Sequence, residues 1–392
     1  MKILHVVDYF TDGLSYQENL ISHWQKKLGH EVKIVTSDYY YPFPNYKKTM
    51  QPTLGNRKVG VGTFMDRDIE ILRKKSYSIS DKYPSLIWFR VSDVLNDFKP
   101  DVIHVHGATN LCLIEILKMK KDHRYKIFVD SHQDYMVQGN HNSIFRQIYN
   151  KPWKVLYRHC LSKGLISLFL PITENAMEWL HSELSIPIES QVINPLGVDT
   201  DKMYFDQNEA KIFRKKHKIG NKILFLYAGK IYEGKRIDWI IDLLSKLRDP
   251  DEIFLLLIGN AESKYNEKLT IKLNKVKYEF LRLPFMNHED LRSAYSAADI
   301  GIWPGIPSNT IQEAMACETI VVLPDNKIVG HLVKDNGLLE NNNIERASKY
   351  LNDICENRSD LEKSKKRSFE IVKEYSWEII TKELIDIYKN NR

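Results

Sequence analysis

"KILFLYAGKIYEGKRIDWIIDLLSKL", Lys222 to Leu247, decides the fold. A strand-length apolar run with no polar alternation meets a glycine-bearing polar loop. Ile237, Ile240, Ile241, Leu244 and Leu247 then recur at helical spacing, giving an amphipathic helix. A strand that is apolar on both faces belongs to a parallel sheet covered by helices on both sides. The same unit recurs downstream in "IFLLLIG" (Ile253 to Gly259), "YEFLRLPF" (Tyr278 to Phe285), "DIGIWP" (Asp299 to Pro304) and "TIVVLP" (Thr319 to Pro324), with helical patterns between them.

Upstream lies a second series. "KILHVV" (Lys2 to Val7) is followed by a helix pattern from Ser15 to Lys27, then "EVKIVTS" (Glu31 to Ser37). A long polar and aromatic insertion, Asp38 to Tyr83, interrupts it. It resumes with "DVIHVH" (Asp101 to His106), "KIFVDSH" (Lys126 to His132) and "ISLFLPIT" (Ile166 to Thr173). The polar run Gly197 to Lys211 separates the two series and reads as a linker. Two doubly wound α/β domains in tandem are expected.

Composition agrees. A chain of 392 residues suits two cores rather than one, and 43% hydrophobic with 28% charged residues marks a globular protein. No apolar run approaches the roughly 20 residues of a membrane span. "MKILHVV" lacks the form of a signal peptide, and Cys112, Cys160, Cys317 and Cys355 are too scattered for a zinc or disulfide framework. A cytoplasmic protein with reduced thiols is expected. Net charge is +6, with a local excess in "FRQIYNKPWKVLYRHCLSKG" (Phe145 to Gly164). That stretch reads either as a solvated helix pair or as a peripheral contact with anionic lipid at the inner membrane face. No nucleic-acid motif accompanies it, so no nucleic acid partner is expected.

Ligands of open parallel sheets bind beyond the carboxyl ends of the strands. Gly13, His106, Gly107, His132, Lys230, Asn260 and the Gly305 to Asn309 loop all fall there, which makes a crevice between the two domains the natural site. Neither G-x-G-x-x-G nor a P-loop follows a strand. Lys230 and Lys235 stand five residues apart in their loop and together could hold a diphosphate without a metal. Past "DIGIWP", a helix start near Asn309 offers backbone N–H groups, with hydroxyls from Ser308 and Thr310. Glu313, one turn further in, is placed to accept from a pair of sugar hydroxyls. The plainer alternatives are that Ser308 or Asn309 caps the helix, Glu313 favours its first turn, and the lysines are a solvated face.

Taken in order, these residues resemble the retaining GT-B glycosyltransferases of the family 4-like, group 1 type. "GHEVKIVTS", "DVIHVHG", "VINPLGVDTDKMY", "LYAGKIYEGKRIDWII", "AYSAADIGIWPG…EAMAC" and "EYSWEIITKELIDIY" carry the likeness over nearly the whole chain. It implies two Rossmann-like domains facing a central crevice: an acceptor-binding domain at 1–200, a donor-binding domain at 201–375, and a helix at 376–392 crossing back to the first. It implies a hexose-type sugar moved from a nucleotide diphosphate donor, a UDP-sugar, to a surface polysaccharide or lipid-linked glycan. The donor is a substrate, and neither cofactor nor metal is expected.

By resemblance Lys230 and Lys235 hold the donor diphosphate, and the Ser308, Asn309 and Thr310 backbone its distal phosphate. Glu313 takes the ribose hydroxyls, His132 and His106 face the transferred sugar, and Gly13 lets the first loop approach. Three positions depart from the pattern. Gly305 replaces a glutamate that contacts the donor sugar, Lys230 stands where arginine is commoner, and Glu318 replaces a glycine. The Gly305 departure keeps two alternatives open: a non-catalytic subunit that binds a partner transferase or glycan, and a sugar-nucleotide epimerase.

His104 and His106 share a strand face, but no Asp, Glu or Cys is seen converging on them, so a metal is not expected. "DTD" at Asp199 to Asp201 lies in the linker and reads as chance.

Overall fold

A computed structural model describes residues 1–43, 46–78, 86–121, 123–135 and 144–391. The chain divides into two compact units, Met1–Leu196 with Trp377–Arg392, and Gly197–Ser376.

Unit 1 contains β1 (Lys2–Val7), β2 (Glu31–Ser37), β3 (Gly62–Asp66), β4 (Ile69–Lys74), β5 (Ser76–Ser78), β6 (Ile87–Phe89), β7 (Val102–Val105), β8 (Lys126–Ser131) and β9 (Leu168–Pro171). Its seven-stranded sheet runs β3-β4-β2-β1-β7-β8-β9. Every pair is parallel except β3 with β4, and β5 with β6 forms a separate antiparallel pair. The stretch read as an insertion thus supplies sheet strands: β4 pairs with β2 and β3 caps the edge. Its short alternating segments gave no buried-strand signal. Residues 44, 45 and 79–83 of that stretch lie outside the described residues.

Unit 2 contains β10 (Ile223–Ala228), β11 (Ile253–Ile258), β12 (Glu279–Leu283), β13 (Ile300–Ile302), β14 (Ile320–Pro324) and β15 (Gly337–Glu340). They form one parallel sheet in the order β12-β11-β10-β13-β14-β15. All six residues of β10 and of β11 are buried, as the unbroken apolar runs require. The expected linker ends early. The Asp206 carboxylate accepts from the N–H groups of Asn208 and Glu209 and starts the helix Gln207–Lys216. The chain enters and leaves unit 2 side by side, with Val198 N–H donating to the Tyr375 carbonyl at 3.0 Å.

The closing helix Trp377–Asn390 returns to unit 1 and buries Trp377, Ile380, Leu384, Ile385 and Tyr388. Each such side chain contributes about 1.5–3 kcal/mol. Lys126 Nζ also donates to the Tyr388 carbonyl at 2.7 Å.

Candidate active site

In unit 2 two loops meet at the carboxyl ends of the neighbouring strands β10 and β13. Ile306 N–H donates to the Gly234 carbonyl at 3.0 Å. Lys235 is only 7% exposed, and its Nζ donates to the carbonyls of Ile306 at 2.6 Å and Pro307 at 3.1 Å. Arg236 Nη1 reaches the Pro304 carbonyl at 3.1 Å. Gly305 sits where these loops touch: a Cβ there would lie 2.3 Å from the Gly234 oxygen and 2.7 Å from Lys235 Cα. Backbone contact this close admits no side chain, which is a physical reason for glycine at this position.

Burial, helped by the Lys230 charge, lowers the Lys235 pKa to about 8. Lys230 is exposed, and its ammonium makes no hydrogen bond or ion pair among the described residues. The two lysines therefore differ: one clamps the facing loop with a single N–H to spare, the other is open.

The helix Thr310–Ala316 follows. Thr310 Oγ1 donates to the Ala228 carbonyl at the end of β10 (2.9 Å), so Ser308 Oγ must donate to Thr310 Oγ1 (2.6 Å). Both hydroxyl protons expected to face a ligand are thus used within the chain. Asn309 makes no side-chain cap bond. Glu313 lies one turn in, its side chain 16% exposed, with Oε1 3.6 Å from His288 Nδ1. Tyr295 Oη donates to Oε2 at 3.4 Å. Burial raises its pKa, against the His288 charge and the Tyr295 hydrogen bond. Tyr295 lies in the quoted "AYSAADIGIWPG" stretch but was given no role there, and His288 stands at the other end of the same helix, His288–Ala297, outside that stretch.

Unit 1 contributes a second group of residues. Gly13 is exposed, with φ +72° and open space where a Cβ would be, and its N–H points to Asp66 Oδ1 at 3.4 Å. Its requirement is the left-handed backbone rather than close packing. His132, just after β8, hydrogen-bonds Gln17, and desolvation, helped by the His106 charge and opposed by Asp130, lowers its pKa.

His106 belongs to a buried cluster. Register places His5 of β1 beside His104 of β7, and β7 beside β8 brings in Asp130. Asp130 Oδ2 lies 2.6 Å from His106 Nδ1 and 3.2 Å from His104 Nε2, while Oδ1 accepts from Gly107 N–H at 2.8 Å. His106 Nε2 is 2.9 Å from His5 Nδ1, His5 Nε2 is 2.7 Å from Gln25 Oε1, and His104 Nδ1 is 2.5 Å from Tyr388 Oη. This corrects the expectation that no acid converges on these histidines. The signal was present: His5 and Asp130 are polar residues inside otherwise apolar strands. The nitrogens of His5, His104 and His106 come within 4.8 Å of one another, but hydrogen bonds already occupy them.

The basic stretch folds as the helix Ile144–Ser162. Ile148 is 66% and Val155 62% exposed, two turns apart, beside exposed Lys151 and Arg158. No Asp or Glu occurs between Ile144 and Thr173. Among the described residues no helix is long and apolar enough to cross a membrane.

Two units built on mainly parallel sheets, with charged loops at the strand ends, fit the GT-B class, and comparison with known proteins places the chain there. Residues 15–202 match the Glycosyltransferase Family 4 profile and residues 208–370 match Glycosyl transferases group 1. Together these span both units, and the chain belongs to this glycosyltransferase family.

An uncharacterized glycosyltransferase of Methanocaldococcus jannaschii is 27% identical over 177 residues, 42% of this chain and 44% of that relative's length. Three solved structures share the fold. A glycosyltransferase from Rickettsia africae superposes with a TM-score of 0.70 at 17% identity, covering 99% of this chain and 97% of that one. HepE of Anabaena, in complex with UDP and glucose, gives 0.67 at 15% identity over 99% of both chains. Sucrose-phosphate synthase from Thermosynechococcus elongatus gives 0.68 at 13% identity, covering 99% and 98%.

Proposed function

We propose that the protein is a metal-independent, retaining glycosyltransferase that uses a UDP-sugar. The observation that carries this reading is the meeting of the Lys230–Lys235 and Gly305–Thr310 loops at the ends of β10 and β13. Lys230 and the spare N–H of Lys235 would neutralise the leaving diphosphate, with the backbone of Ser308, Asn309 and Thr310 at its distal phosphate. Glu313 would turn from His288 to accept the ribose hydroxyls. Complexes of the Anabaena protein with UDP and with UDP-glucose support UDP as the nucleotide to test first. His132 and the turn at His106 would border the transferred sugar, and Gly13 the approach of the first loop. The tight backbone seat of Gly305 favours a built site over the decayed one of a non-catalytic subunit.

The acceptor in this reading is a lipid-linked or surface glycan at the cytoplasmic membrane face. The acid-free face of Ile144–Ser162, with Ile148 and Val155 beside Lys151 and Arg158, supports contact with anionic lipid. Calorimetric titration of UDP and GDP, with and without EDTA, into wild type and Glu313→Ala tests the donor assignment. Binding of UDP that survives EDTA and weakens in the variant is expected. Absence of binding by either nucleotide would overturn it.

A further inference from the structure

The hydrogen-bond chain through His106 fixes its proton count. Asp130 is fully buried and meets three N–H donors, from Gly107, His106 and His104, as an ionised carboxylate does. At the far end the Gln25 amide oxygen accepts from His5 Nε2, so a neutral His5 presents an unprotonated Nδ1 to His106. His106 must then donate from both ring nitrogens. His104 donates from Nε2 to Asp130 and accepts at Nδ1 from the Tyr388 hydroxyl, so it is neutral. One imidazolium and one carboxylate therefore sit on the sheet face beneath the closing helix.

We propose that Asp130 and His5 are positioning residues that hold His106 as a doubly protonated, fully bonded imidazolium, so that His106 is a fixed strut for the β7 turn and not a base. The inference rests on the transferase reading only for the substrate this edge serves. Its structural content stands without it.

The groups around His106 agree. Glu18 from the helix Gln17–Lys27, Asp130 from β8, His104 from β7, His5 from β1 and His132 after β8 all act on it or respond to its charge. Burial pulls the His106 pKa down, but Asp130 and Glu18 outweigh it and the net direction is upward. His5 and His104 go the other way, driven first by burial and then by the His106 charge. Because Asp130 also takes the Gly107 N–H, the same carboxylate sets the backbone at the strand's carboxyl end.

The test is nitrogen NMR of the full, ligand-free chain carrying ring-15N histidine, between pH 5 and 9. The signal missing from His106→Gln identifies the residue. An imidazolium pattern on both His106 nitrogens at pH 7.5 is expected, giving way in Asp130→Asn to a neutral ring at the same pH. Should that variant fail to fold, Asp130→Glu keeps the charge and should preserve the pattern, whereas His5→Phe removes the acceptor and should weaken it. A neutral tautomer in wild type at pH 7.5 would mean that the Gln25 amide faces the other way and the chain runs in reverse, overturning the proposal. In transfer assays Asp130→Asn should lower kcat at unchanged UDP affinity. Loss of UDP affinity instead would assign Asp130 to donor binding and contradict its role here.

Discussion

A Cβ on Gly305 would lie 2.3 Å from the carbonyl oxygen of Gly234, inside the contact distance of any two such atoms. Either the side chain or the loop must yield. Gly305→Ala should cost about 1–3 kcal/mol as an overpacking substitution. By moving the Lys235 clamp it should also weaken UDP binding about tenfold or more. Urea unfolding beside UDP titration checks both, and an Ala variant equal to wild type would show that the two loops are not locked together.

Glu313 and Lys235 are assigned to opposite ends of the nucleotide. Losing a hydrogen bond to a charged group costs about 1.5–3 kcal/mol, so Glu313→Gln and Lys235→Ala should each weaken UDP binding roughly 10- to 100-fold. Glu313→Gln keeps the shape, so only the charge is tested there. Should the Gln variant bind UDP as wild type does, the ribose assignment fails.

Burial lowers the Lys235 pKa to about 8. A diphosphate beside it would raise that value, so binding must take up protons near pH 8. UDP affinity should be greatest below pH 8 and fall as pH rises through it. Calorimetry in buffers of different ionisation enthalpy reads the proton uptake directly, and Lys235→Ala should abolish it.

The histidine cluster gives unit 1 a signed response to acid. His104 is lowered from 6.5 to about 4, and His5 well below 6.5, so each supports folding above pH 6.5 and loses that support as pH falls. The His104 share is on the order of 3 kcal/mol. His106, shifted upward, keeps its contribution below 6.5 and loses it on the alkaline side. Between pH 6.5 and 4 His106 is protonated folded and unfolded alike and adds no slope, so the two lowered histidines set the direction and the protection of β1 and β7 amides from hydrogen exchange should drop steadily over that range. Rising protection over that range would contradict a neutral His5 and His104.

Glu318 takes φ +59°, a left-handed conformation that costs a non-glycine residue roughly 1 kcal/mol. This explains why a glycine suits the position after Cys317. Glu318→Gly should raise the stability of unit 2 by about 1 kcal/mol with UDP binding unchanged, as urea midpoints would show.

Both sheets were legible because β10 and β11 are apolar on both faces, and within β1 and β7 only His5 and His104 interrupt the apolar run; only burial between helix layers accounts for that. β3 and β4 were not, since the edge strand and its half-exposed neighbour resemble loops in composition. Lys235 was found through its loop, but not its bonds to Ile306 and Pro307, which depend on how two strand ends adjoin. Asp130 was missed for a related reason: its partners His104, His106 and Gly107 come from β7 and the turn after it, and only the pairing of β7 with β8 brings them together. His288 reached Glu313 across a helix pair that no local pattern announces.

The return of Trp377–Asn390 to unit 1 has a consequence for synthesis. Tyr388 supplies the hydroxyl for His104, yet the ribosome makes it only after all of Gly197–Ser376. At 5–20 residues per second that is a delay of roughly 10–40 s. The unit translated first is therefore completed last, and its histidine-bearing sheet face waits uncovered while its neighbour folds.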